Sequence, residues 1–246
     1  MPQQYVTRSP VAHQIGTPRT AVMRTAPVPW GVVVHTTGSG VVAKAAALGR
    51  PAGDVAIGVY LEPDDPAEGI YTPFPHYVID GLGKIVQICD ESMRARHVAI
   101  TPADREAYLS GAWRGHVSAV GITLWEEAWP GFPSPSHLYP GKSVNEVYLG
   151  VELIPEPAPD ASGGLYTAAQ YEALGALLED IEARYEITLG GAHLLGHEDV
   201  SPLTRWDGGG GWDPGARRAR PTFDWSKLER VNGWPFSSAA PVARDP

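Results

Sequence analysis

The chain has 246 residues, 43% of them hydrophobic, enough to bury a sizeable core in one large domain with extensions. Its formal charge of -9 and the lack of a Lys/Arg-rich run argue against nucleic acid or an anionic membrane as partner and favour a neutral or cationic target. The single cysteine, Cys89, excludes an intrachain disulfide and a cysteine-based zinc cluster, so a metal site must draw on His, Asp and Glu.

Residues 1–28 carry scattered Pro, Thr and Arg without apolar periodicity and read as an extended arm over the surface. They lack the apolar core and small-residue cleavage site of a secretory signal, and no run reaches the ~18 apolar residues of a membrane span. The expected route is synthesis in the cytoplasm, followed by action there or after release or delivery. "WGVVVH" reads as a buried strand ending on His35, and "VVAKAAAL" as the helix that follows. "HYVID" and "KIVQIC", joined by "GLG", predict a hairpin. The stretch from about 100 to 143 is rich in Trp, Tyr, Pro and Gly, and a connection this long is either functional or ordered by its own cluster. "VYLGVELI" predicts another buried strand carrying one acid, Glu152. A helix is predicted over "TAAQYEALGALLEDIEARYEI", where Thr167 and Gln170 form a capping box and Tyr171, Leu174, Leu178, Ile181 and Tyr185 recur at helical spacing. Strands interleaved with helices predict an α/β fold with a mixed sheet flanked by helices. From Gly208 onward Gly, Pro and Arg dominate, and residues 231–246 read as a loose tail after a domain spanning 29–230.

His35, at the tip of an apolar run, is either a core histidine satisfied locally or one ligand of a site completed downstream. "HLLGHEDVSPLTRWDGGGGWDPG" offers the partners: His197 again follows an apolar stretch and precedes an acid-bearing loop. Two histidines and a carboxylate form a three-ligand set for catalytic zinc that leaves a fourth position for water. The implied chemistry is hydrolysis. Glu152, an acid inside an apolar strand, is costly to bury without a task.

Seven segments, "VVVHTTGSG", "HYVIDGLGKIVQI", "RARHVA", "NEVYLGVELI", the Thr-x-x-Gln helix, "LLGHEDVSP" and "WDPGA...PTFDW", occur in register from about Trp30 to Trp225. In this the chain resembles the zinc-dependent N-acetylmuramoyl-L-alanine amidases of the amidase-2 type, related to phage lysozyme-type amidases and peptidoglycan recognition proteins. The resemblance implies that fold and a bound Zn2+. It implies His35 and His197 as metal ligands, Glu152 as the catalytic acid, and His97 and Asn145 as residues on the substrate side. The third ligand is open between Asp213, which has the Asp-Pro-Gly context, and Asp207, which has the usual spacing and the basic neighbour Arg205; the context favours Asp213. Arg205 is either an oxyanion stabiliser or a surface ion-pair partner. His76 orders a strand entrance.

The implied activity is hydrolysis of the amide between N-acetylmuramic acid and L-alanine in a lytic, endolysin-like cell-wall enzyme. The alternatives are a cytoplasmic amidase recycling muropeptides, or a peptidoglycan-binding module without catalysis. The substrate partner is peptidoglycan or a muropeptide, with no obligate protein partner. Trp113, Trp125, Trp129 and Tyr139 lie in the 100–143 stretch, which the family keeps short, and are expected to wall the substrate groove.

Overall fold

The computed structural model describes residues 8–15, 21–24, 28–64, 67, 72–98, 144–155, 165–190, 193–200, 205, 213–215 and 222–228. The 100–143 stretch, Asp207 and the 231–246 tail lie outside them.

The elements in chain order are β1 (His13–Gln14), β2 (Val22–Met23), β3 (Gly31–Thr36), α1 (Ser39–Leu48), α2 (Ala52–Tyr60), β4 (Tyr77–Ile79), β5 (Ile85–Gln87), β6 (Met93–Arg94), α3 (Val144–Val147), β7 (Tyr148–Leu153), α4 (Ala168–Tyr185), β8 (Leu194–Gly196) and α5 (His197–Val200), with a 3-10 turn at Trp225–Lys227. Six strands form one sheet in the order β1-β5-β4-β7-β3-β8. Within it β4 and β5 pair antiparallel, as the hairpin signal predicts, and every other neighbour pair is parallel. The α/β architecture with a mixed sheet is therefore as expected. No helix among the described residues is long and apolar enough to cross a membrane.

The centre of the sheet is buried on both faces, which is why β3 and β7 read as continuous apolar runs rather than alternating ones. One face packs on α4 through Leu174, Leu177, Leu178 and Ile181 against Val32, Val34, Val151 and Leu153. The other carries Val78 and Val86, packed with Ala56 and Tyr60 of α2. Helix α4 begins as its sequence predicts: Thr167 Oγ1 accepts from Gln170 N at 3.2 Å, and Gln170 Oε1 accepts from Thr167 N at 3.0 Å. The same Gln170 is fully buried and donates to the carbonyls of Ile154 and Ile79, so the cap also satisfies the exits of β7 and β4.

The arm is more structured than its sequence suggests. Its β1 adds a parallel edge to β5, β2 pairs antiparallel with β6, and Ser9 is buried with its hydroxyl on Asp180 at 2.6 Å. A second fastening lies beneath α4. There the buried Glu91 accepts from Tyr77 and Tyr185 hydroxyls at 2.5 and 2.9 Å and pairs with both terminal nitrogens of Arg184, which satisfies a carboxylate that burial alone would penalise.

Candidate metal centre

The site forms where parallel strands β3, β7 and β8 end, the common place for a site in such sheets. His35 is the penultimate residue of β3, Glu152 the penultimate residue of β7, and His197 follows directly on β8. Pairing in register sets His35 opposite Glu152, and Glu152 opposite Val78. Residues so paired project to one face, so the histidine and the acid share the side away from α4.

Three acceptor-type atoms converge. His35 Nδ1 and His197 Nδ1 are 3.0 Å apart, Asp213 Oδ2 lies 2.8 Å from His197 Nδ1, and it lies 3.7 Å from His35 Nδ1. The ligand atoms of this trio all fall within 4.8 Å of one another, and all three residues are buried. Asp213 is aimed by its other oxygen, which accepts from Thr36 N at 2.6 Å, and its carbonyl accepts from Glu198 N at 2.8 Å. The turn that follows is pinned by Tyr166, whose hydroxyl donates to Pro214 O at 3.0 Å.

Burial pushes the His197 imidazole down to about 4, with the nearby His35 acting in the same direction, so at neutral pH it is uncharged. Burial works against ionisation of Asp213, yet the two histidines outweigh it and hold the carboxyl well below the usual carboxylate range. Two imidazoles and one carboxylate facing a common point are a donor set suited to a divalent transition metal. His197 Nε2 is buried without a hydrogen-bond partner among the described residues.

Glu152 sits beside the trio with Oε1 accepting from the Tyr60 hydroxyl at 2.7 Å, and that hydroxyl also meets Thr37 Oγ1 at 3.1 Å. Burial raises Glu152 to about 7; Asp213 adds to the rise, while His35 and the Tyr60 bond oppose it. Tyr60 escapes the sequence reading because an aromatic on an apolar helix looks like core. Its signal exists only in three dimensions, as the partner of Glu152.

His197, His35, Asp213, Glu152 and Arg205 all line one cavity of about 830 Å³, whose lining also includes the apolar Val41, Val42 and Ala46 of α1 with Val59 and Phe74. His97 reaches the same cavity but is buried, with Nδ1 2.9 Å from His35 Nε2. Asn145 turns inward: its oxygen accepts from the backbone N–H of His97 and Val98, and its amide donates to Val98 O. Both polar ends of that side chain thus bond the backbone of residues 97 and 98. His76 is fully buried between Gly150 N and Met93 O, ordering the entrance to β4.

A family model described as N-acetylmuramoyl-L-alanine amidase matches residues 24–216. None of the curated proteins matches the sequence. Among solved structures, the crystal structure of a selenomethionine AmpD derivative is 20% identical, covers 90% of this chain and 94% of its own, and superposes with a TM-score of 0.51. An endolysin of a Thermus scotoductus bacteriophage is 13% identical over 87% of this chain and 90% of its own, with a TM-score of 0.45. The Drosophila peptidoglycan recognition protein SD is 15% identical over 92% and 98%, with a TM-score of 0.44. At 20% identity the likeness to the AmpD structure is one of fold.

Proposed function

This chain belongs to the Amidase_2 family of N-acetylmuramoyl-L-alanine amidases, and from that membership we propose that it is a zinc enzyme hydrolysing the amide between N-acetylmuramic acid and L-alanine of peptidoglycan. The observation that carries the reading is the convergence of His35, His197 and Asp213 beside Glu152 in one cavity. These three residues would hold the metal, with Asp213 preferred to Asp207 as third ligand because its carboxylate already points at the two ring nitrogens. Zinc, when bound, supplies a Lewis acid that polarises a carbonyl and lowers the pKa of a water to about 7.

The remaining work falls to the protein. Glu152, raised toward neutrality by burial, accepts a proton from the attacking water and returns it to the departing amine nitrogen as the C–N bond breaks, so water is added across the amide without net proton uptake. Tyr60 donates to one Glu152 oxygen and leaves the other for this transfer. Arg205, at the cavity wall, supplies positive charge for the oxyanion that develops on the carbonyl. The apolar wall of α1 limits water around the reacting groups.

We assign the role to lysis of polymeric cell wall. The support is the Trp- and Tyr-rich sequence of residues 100–143, residue types whose faces pack on sugar rings. Mass analysis of products from intact sacculi and from soluble anhydromuropeptides tests this. Release of free stem peptides from sacculi is expected. Cleavage of the soluble muropeptides alone would instead make this a recycling amidase, and a protein that binds sacculi without zinc or product would be a recognition module.

A further inference from the structure

We infer that His97 is a positioning residue for the metal centre, fixing the tautomer of His35, rather than a residue that touches substrate. The inference rests on the zinc reading above and deepens it.

A backbone carbonyl can only accept a hydrogen bond. His97 Nε2 lies 3.3 Å from Tyr148 O, so that nitrogen carries the ring proton. In a neutral imidazole the other nitrogen is then bare, and His97 Nδ1 accepts from His35 Nε2–H across 2.9 Å. With its proton held on Nε2, His35 presents a lone pair at Nδ1, the atom that faces His197 and Asp213. One chain of two hydrogen bonds, from His35 through His97 to a strand carbonyl, thus selects the ligating form of His35 before any metal arrives. Both ring nitrogens of His97 are used in this chain, and neither is left for a sugar or peptide.

The surroundings hold that ring in place. Asn145 clamps the backbone on either side of it, accepting from two successive N–H groups. Gly150 of β7 makes the space, because a Cβ at that position would stand 2.4 Å from His97 Cγ. The neighbouring His76 cannot compete as a donor to His97: Gly150 N–H binds its Nδ1, and its Nε2–H goes to Met93 O.

The test is a zinc competition titration against a chromophoric chelator, together with nitrogen-15 ring spectra of the metal-free protein. His97→Phe keeps a ring beside Gly150 but removes the acceptor, and should weaken zinc binding about 10- to 100-fold, the usual effect of losing such a support. His97→Asn, whose Oδ1 sits near the lost Nδ1, should recover most of that affinity. The spectra should show His35 of the wild type protonated at Nε2. Wild-type zinc affinity in His97→Phe, or a wild-type His35 protonated at Nδ1, overturns the inference while leaving the zinc reading intact. So does a His97→Phe enzyme whose only defect is a raised KM for a short muropeptide. A wild type that binds no zinc removes the functional reading and this inference together. If His97→Phe does not fold, the Asn variant and the wild-type ring spectra decide the matter.

Discussion

Replacing Glu152 with Gln in the metal-free protein should make folding stability less sensitive to pH, by an amount that the site itself sets. Burial moves this carboxyl from 4.5 to about 7, with the Asp213 charge beside it contributing to the rise. A group whose folded-state pKa is raised binds its proton more tightly in the native state. Its contribution is therefore fully present below about 4.5 and is lost as the pH climbs through about 7. At about 1.4 kcal/mol per pH unit the interval corresponds to roughly 3 kcal/mol, and the partial exposure of Glu152 trims this to about 2. The amide of Gln resembles the protonated acid in shape and in accepting from Tyr60, so the two proteins should match at pH 4.5. The variant should then gain about 2 kcal/mol over wild type by pH 8. Urea unfolding of chelator-treated protein across this range measures it. Adding zinc should close the gap, since a cation favours the ionised carboxylate. A difference between the two proteins that does not change with pH would refute the reasoning and return Glu152 to an ordinary solvated wall position.

In the zinc-loaded enzyme the same Glu152→Gln change should keep the metal but slow turnover by roughly two to four orders of magnitude, as expected for loss of a general acid or base; steady-state kinetics beside elemental analysis checks both halves. Asp213→Ala should lose zinc and Asp207→Ala should retain it, and metal content showing the reverse would mean that sequence spacing outweighs the Asp-Pro-Gly context. Gly31→Ala should cost about 3 kcal/mol or more, because the added Cβ would stand 2.2 Å from the carbonyl oxygen of His193 and that contact is backbone, which cannot rotate away. A melting temperature within a degree of wild type would show that β3 and β8 separate more easily than this packing allows.

The elements that announce themselves in the sequence do so by local chemistry. Thr167 and Gln170 mark the start of α4 because a capping box is a local reciprocal bond, and that pair forms as read. Helix α2 is silent: Pro51 caps it without a side-chain bond, and Gly53 and Gly58 weaken its helical pattern. The strands of the arm are two residues each, too short for any periodicity. For the site, His35, His197 and Glu152 were visible because each interrupts or ends an apolar run. Asp213 could be preferred over its rival only from the Pro-Gly that follows it. The sequence placed His97 and Asn145 near the site but not in their observed contacts. The hydrogen bonds that Asn145 accepts from the backbone N–H groups of residues 97 and 98 span 48 and 47 positions and leave no local trace.

What turns these separate signals into a site is the register of β3 against β7. Side chains alternate faces along a strand, so a slip of one residue would move Glu152 to the face packed by Leu174 and Leu178 of α4. A carboxylate there would meet hydrocarbon, whereas Val151 and Leu153 would be turned toward the cavity. The register that buries the valines and leucines is thus the one that brings His35 and Glu152 side by side, and the cost of exposing the apolar set protects the polar pair. Gly150 belongs to the same logic: it lies two positions before Glu152, hence on the same face, and its missing side chain is the space that the His97 ring fills. The hydrophobic pattern of β7 therefore fixes the acid, and the glycine within it admits the ring that supports the first histidine.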